Sequence, residues 1–290
     1  MNSKMLNFNL NKNLMNKTLI YSMLAVSLLM VSCDPSEERD VLSGAITADQ
    51  LNITATPQVV DGKNSNYIDL NSDGVGSLSS WFYGNGTTTS TKTTVQMVLA
   101  GKREIVFTGL NHDGTYIKKT ITVQVDTLIN VAPEWGILCG EGDKNWVWDN
   151  TLSAVWGNGG YKGNTSPGWW TVALADIDGQ ATGEGAGAKM TFSVNGSSLT
   201  KIKSDGSTVK GSFAFDMSAI TEDDNKDVWA KGKLTTKNVT VLCGKSPNEG
   251  NGPVYSYDIL KLDDQKMVLS YPEPGAGSWG TAWFWMFRAE

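Results

Sequence analysis

Short runs that alternate apolar and polar residues, broken by turn dipeptides, leave this chain little choice but to fold as β-sheet. Thr120-Ile121-Thr122-Val123-Gln124-Val125 alternates at a period of two, which turns one face of a strand inward and the other to water. Asp61-Gly62, Asp73-Gly74, Asn85-Gly86, Asp113-Gly114, Asn195-Gly196, Asp205-Gly206 and Asp263-Asp264 separate such runs, and each suits a tight turn. Almost nothing repeats at the helical period. The exception is the acidic stretch 219–229, expected to hold one helical turn.

The 290 residues exceed what one small core requires and allow two domains of ordinary size. Residues 44–127 read as about six or seven short strands, the pattern of an immunoglobulin-like sandwich. Residues 128–132 are a short link. Residues 133–290 read as a second, larger antiparallel unit, with strands expected at 145–149, 169–174, 189–194, 208–215, 239–243, 255–262, 266–271 and 281–288. A β-sandwich or jelly roll is the first expectation for it. A closed lipocalin-like barrel is the runner-up, because the later strands succeed one another as a meander.

The N-terminus addresses the chain. Lys4, Lys12 and Lys17 precede an apolar run that begins at Leu19 and ends in Leu29-Met30-Val31-Ser32-Cys33. That run is too short to span a bilayer and fits a signal peptide over residues 1–32. Its end resembles a bacterial lipobox, which implies lipidation of Cys33. Residues 33–43 follow as an acidic tether starting Asp34-Pro35-Ser36-Glu37-Glu38, similar to the surface-export signal of Bacteroidetes lipoproteins. Losing residues 1–32 removes three lysines and no acids, so the net charge moves from −6 to −9. That balance argues against a nucleic-acid partner, whose phosphates demand Lys and Arg.

Ten of the eleven tryptophans lie between Trp135 and Trp285. Indole is costly to bury completely because its N–H requires a partner, so this density suggests a surface that stacks flat apolar faces, as sugar rings present. Trp283-Phe284-Trp285-Met286-Phe287 is apolar on both faces and reads as a strand covered on both sides. The binding candidates are Trp148, Asp149, Trp156, Asn158, Tyr161, Asn164, Trp169, Trp170 and Trp279, each in or beside a Gly- or Asn-rich stretch. Gly157-Asn158-Gly159-Gly160 is expected to be a loop, with Trp156 and Tyr161 as its aromatic flanks. The side chains of Asp149, Asn158 and Asn164 are candidates for bonding ring hydroxyls.

Catalytic chemistry finds less support. His112 is the sole histidine and falls in the first unit, which rules out a Ser-His-Asp or Cys-His arrangement in the second. Glu141, Asp143, Asp149, Asp176, Asp178 and Glu184 are scattered acids without the close spacing of a jelly-roll glucanase, so the chain is expected to be no enzyme. No cofactor is expected. Asp176-Ile177-Asp178-Gly179 resembles part of a calcium loop but lacks its closing Glu, which leaves structural calcium as an alternative. Cys139 and Cys243, in matching Leu-Cys-Gly contexts, form either a disulfide outside the cytoplasm or two buried thiols.

Trp81-Phe82-Tyr83-Gly84-Asn85-Gly86, with Tyr116 and the Thr-Val-Gln-Val ending, resembles a PKD domain, with Asn85 where that motif carries Asp. Lipobox, acidic tether, PKD-like stalk and Trp-rich C-terminal β domain together resemble the surface glycan-binding lipoproteins of Bacteroidetes polysaccharide-utilisation loci. The resemblance implies a non-catalytic, outer-membrane, lipid-anchored protein that faces the cell exterior. It also implies a β-glucan-like polysaccharide ligand, with an outer-membrane transporter and surface glycosidases as partners. A surface glycoside hydrolase and a structural or assembly lipoprotein are the alternatives.

Overall fold

The computed structural model describes residues 45–245 and 252–290. The signal segment, Cys33 and the acidic tether lie outside the described residues. Residues 45–290 form one compact unit of antiparallel β-sheet. No helix among the described residues is long and apolar enough to cross a membrane.

The first half holds β1 (Thr54–Val60), β2 (Lys63–Asn71), β3 (Leu78–Phe82), β4 (Thr87–Thr88), β5 (Lys92–Gln96), β6 (Gly101–Leu110) and β7 (Tyr116–Val125). They form two sheets, β1-β2-β5 and β4-β3-β6-β7. One apolar core lies between them, built from Ile68, Leu70, Trp81, Ile105, Phe107 and Val125 among others. Alternation along each strand supplies it, as in β6, where Ile105, Phe107 and Gly109 are buried and their neighbours are not.

The second half begins with α1 (Glu134–Cys139), then β8 (Asp143–Trp148), β9 (Trp156–Gly160) and β10 (Trp170–Val172). After the one-turn α2 (Ile177–Gln180) come β11 (Lys189–Ser193), β12 (Ser198–Ile202) and β13 (Thr208–Asp216). A small hairpin, β14 (Thr221–Glu222) and β15 (Val228–Ala230), precedes β16 (Gly232–Lys237), β17 (Ser256–Leu262), β18 (Lys266–Pro272) and β19 (Thr281–Ala289). Strands β8, β11, β12, β13, β16, β17, β18 and β19 are paired in that order, and β19 returns to β8. These eight strands therefore close into a barrel, the runner-up expectation for this unit rather than the sandwich or jelly roll, and β9 and β10 extend the sheet from β19. Closure pairs the two ends of the eight-strand run, and β10 remains as the edge strand. It rests on Phe287, Arg288 and Ala289 pairing with Trp148, Val147 and Trp146.

Eight strands enclose a space that side chains just fill. Here aromatic rings fill it: Trp146, Trp148, Trp156, Phe192, Tyr257, Trp283, Trp285 and Phe287 all belong to one buried cluster. Buried Lys201 of β12 also joins the interior, paired with Glu184 at 2.9 Å. Glu184 further accepts the Cys243 backbone N–H at 2.6 Å, so the pair keeps its charges hydrogen-bonded, as burial requires.

Several local expectations change. Stretch 219–229 is the β14–β15 hairpin rather than a helical turn. Residues 239–243 form no strand, although Val239, Val241, Leu242 and Cys243 join the core. The Gly157–Gly160 stretch is part of strand β9, not a loop, because β19 and β10 pair with its two edges. Cys139 and Cys243 are free and buried, so no disulfide joins them. Burial pushes the Cys139 thiol up to about 12 and the Cys243 thiol higher than its ordinary value as well, the behaviour of inert core cysteines.

Candidate functional site

Strand β9 and the start of β19 build the site. Their ladder pairs Thr281 with Gly160 and continues past the strand ends. The Tyr161 N–H donates to Gly280 O at 2.7 Å, and the Trp279 N–H donates to Tyr161 O at 2.8 Å. The 161–169 connection and the 273–280 loop are thus fixed to each other by backbone bonds. Trp279 itself has φ +61°, a left-handed conformation that a bulky side chain rarely adopts.

Two indoles stand out of this frame. Trp169 is 54% exposed and Trp279 is 59% exposed. Both rest against Gly160. A Cβ built there would fall 2.6 Å from the Trp279 ring and 3.3 Å from that of Trp169. A Cβ on Gly163 would also fall 2.6 Å from Trp279. Glycine at both positions is what lets the Trp279 ring lie against the backbone. The result is a pair of flat apolar surfaces on a rigid mount next in the chain to Ser278, while the Lys162 ammonium lies 5.6 Å over the Tyr161 ring.

The other expected site residues support this platform or lie elsewhere. Trp156 is 1% exposed and Trp148 2%, so neither reaches a ligand, which corrects their assignment as binding residues. Trp148 Nε1 donates to Glu184 O at 2.7 Å. Trp170 is half-buried, edge-on to Trp156 at 5.4 Å and to Trp283 at 6.0 Å, and packs against the core. Asp149 is buried, with its carboxylate bonded to Lys266 Nζ and to the Thr151 hydroxyl. Burial pushes this carboxyl up, but the Lys266 and Thr151 bonds outweigh it and hold it below its ordinary value. It braces the barrel wall and has no free oxygen to offer a sugar.

Asn158 and Asn164 hold the loop through their side-chain oxygens. Asn158 Oδ1 accepts the Trp170 N–H at 3.0 Å, and its backbone oxygen accepts from Gly168 and Trp169. Asn164 Oδ1 accepts the Gly160 N–H at 2.7 Å, and its backbone oxygen accepts Trp229 Nε1 at 2.9 Å. Tyr161 is half-buried and meets Trp229 edge-on at 5.0 Å. Burial and then the Asp258 carboxylate raise its phenol above the ordinary value.

Three of the scattered acids are likewise occupied. Asp149 and Glu184 sit in the ion pairs already described. Asp178 Oδ1 accepts the N–H groups of Gly183 and Gly185 at 2.9 and 3.0 Å, which ties the 183–185 loop back to α2. Among the described residues, no group of three or more His, Cys, Asp or Glu could hold a metal ion.

One contributor was missed in the sequence. Ser278 Oγ donates to Asp224 Oδ2 at 2.6 Å, which joins the Trp279 loop to the β14–β15 hairpin. The Asp223-Asp224-Asn225-Lys226 turn composition was the available signal. No protein-family model matches the chain, and no curated protein matches it by sequence.

Proposed function

We propose that the protein is a non-catalytic, lipid-anchored protein of the outer-membrane surface that captures polysaccharide on the Trp169–Trp279 platform. The observation that carries this reading is the exposure of two neighbouring indoles on glycine-seated backbone, one of them in a left-handed conformation. A fold gains little from such an arrangement, whereas a glucose-like ring gains a flat apolar face for its C–H groups. Each good aromatic contact is worth about 1–3 kcal/mol by analogy with base stacking. Capture then depends on several rings of one chain engaging together. In this reading residues 44–127 are a PKD-like stalk, residues 133–290 the glycan-binding domain, and Cys33 the lipid site. The partners are a β-glucan-like chain, an outer-membrane transporter and surface glycosidases.

Isothermal titration against a panel of neutral β-glucans and α-glucans tests the reading. Heat with at least one polysaccharide, strongly reduced in Trp169→Ala and in Trp279→Ala, supports it. Absence of heat across the panel, or binding indifferent to both substitutions, defeats it. Reducing-sugar release by the same protein would point to a hydrolase instead.

A further inference from the structure

The hairpin that touches the platform carries charge. Beyond Ser278 and Asp224, an open recess of about 630 Å³ lies between Lys162 and the 220–226 segment. Lys162 follows Tyr161, whose backbone oxygen holds Trp279, so recess and platform share one frame. Ile220 is 55% exposed and lines the recess. The remaining lining is mostly acidic.

Glu222, Asp223 and Asp224 line the recess with Lys226 and Lys162, and Asp227 follows in the same hairpin, four negative charges against two positive. The two lysines neutralise little of this. Lys226 lies 3.9 Å from Glu222 with both side chains exposed, an arrangement worth almost nothing in water. Lys162 sits over the Tyr161 ring. Asp223 spends one oxygen on the N–H groups of Asn225 and Asp227, at 2.8 and 3.0 Å, and so shapes the turn. Asp224 meets the neutral Ser278 hydroxyl and has no ion-pair partner among the described residues. Its charge therefore sits on the hydrogen-bond partner of Ser278, the chain neighbour of Trp279, and charges act over roughly 8 Å at physiological salt.

We infer that the β14–β15 hairpin is a charge-selecting wall of the platform, so that the site takes uncharged glycan chains and rejects those bearing carboxylate or sulfate groups. The inference rests on the glycan reading of Trp169 and Trp279. An ionised carboxylate only accepts hydrogen bonds. A sugar hydroxyl can donate to it. A uronate or sulfate ester brings a second acceptor and a like charge.

The test compares the neutral glucan that gives the largest heat with its carboxymethyl derivative. It uses the wild-type protein and Glu222→Gln/Asp224→Asn/Asp227→Asn, with Asp223 kept because it shapes the turn. Wild type should prefer the neutral polymer roughly fivefold or more, and the triple variant should bring that ratio to about twofold or less. In wild type alone, raising NaCl from about 20 mM to about 500 mM should strengthen binding of the carboxymethyl polymer while leaving the neutral one nearly level. Equal binding of both polymers, a preference for the charged one, or a ratio that ignores both salt and the substitutions overturns the wall and leaves the platform standing. Loss of neutral-glucan binding in Trp279→Ala confirms the platform separately. Absence of binding to either polymer overturns both.

Discussion

Trp156 and Trp285 face each other across two paired strands inside the barrel, while Trp169 and Trp279 stand on the rim of the same sheet. The interior pair is at most 1% exposed, and neither Nε1 has a hydrogen-bond partner among the described residues. An unmet buried N–H costs about 1–3 kcal/mol. Burying the 150–250 Å² of an indole returns roughly 4–6 kcal/mol, so the ring prevails and the orphaned N–H is tolerated. The rim pair forgoes most of that return. One residue type thus serves packing in one place and recognition in the other, and the difference lies in surroundings rather than chemistry.

Trp285→Ala probes the interior side and should have the largest effect. It removes a ring that meets Tyr257 edge-on at 5.3 Å and leaves a cavity, so stability in urea should fall by about 3–5 kcal/mol. A loss under about 1 kcal/mol would erase the distinction. On the rim the balance reverses. Trp169→Ala/Trp279→Ala should leave unfolding within about 0.5 kcal/mol of wild type, yet lower glycan affinity by roughly tenfold or more per ring. A large stability loss there would show that the rim rings serve the fold after all.

Two buried carboxylates sharpen the same contrast, one paired and one poorly paired. Asp149, held low by Lys266 and Thr151, contributes stability that is fully present above the unfolded carboxylate value. That contribution disappears as pH falls through the lower folded value. Asp149→Asn should therefore cost about 1–3 kcal/mol at pH 7, and the gap to wild type should close in acid melts below the ordinary carboxyl range. Gly163→Ala places a Cβ 2.6 Å from Trp279. It should weaken glycan binding several-fold while barely moving the unfolding midpoint.

The smallest effect belongs to Asp258 on the outer face of β17. Burial raises its carboxyl above the ordinary value, and Lys233 at 3.4 Å offsets only part of this. Its ionisation therefore costs stability at neutral pH, and that stability returns as pH falls through the raised value. Asp258→Asn should be within about 1 kcal/mol of wild type or more stable at pH 7, with any advantage vanishing on acidification.

Much of the strand content was legible locally. β7 and β19 were readable because alternation in one and two-sided apolarity in the other are properties of neighbouring residues. β9 was not. Gly157-Asn158-Gly159-Gly160 has every local mark of a loop, and only the flanking β10 and β19 make it a strand. The candidate site was legible as a region but not as residues. Trp169 and Trp170 are adjacent with like neighbours, and only the pairing of Trp170 with Asn158 sends one ring towards the core and the other to water. Asn158 and Asn164 looked like sugar ligands because the sequence does not show that backbone N–H groups already occupy their oxygens.

The sequence alone determined an antiparallel β protein with its tryptophans crowded into the second half, since alternation and turn chemistry act between residues close along the chain. The tertiary structure decided that β8 meets β19 and closes a barrel. It thereby decided which indoles are walled in and which remain on the rim. Closure and exposure depend on partners far apart in the chain, and a hydrogen bond between distant strands leaves no mark on the residues beside either one.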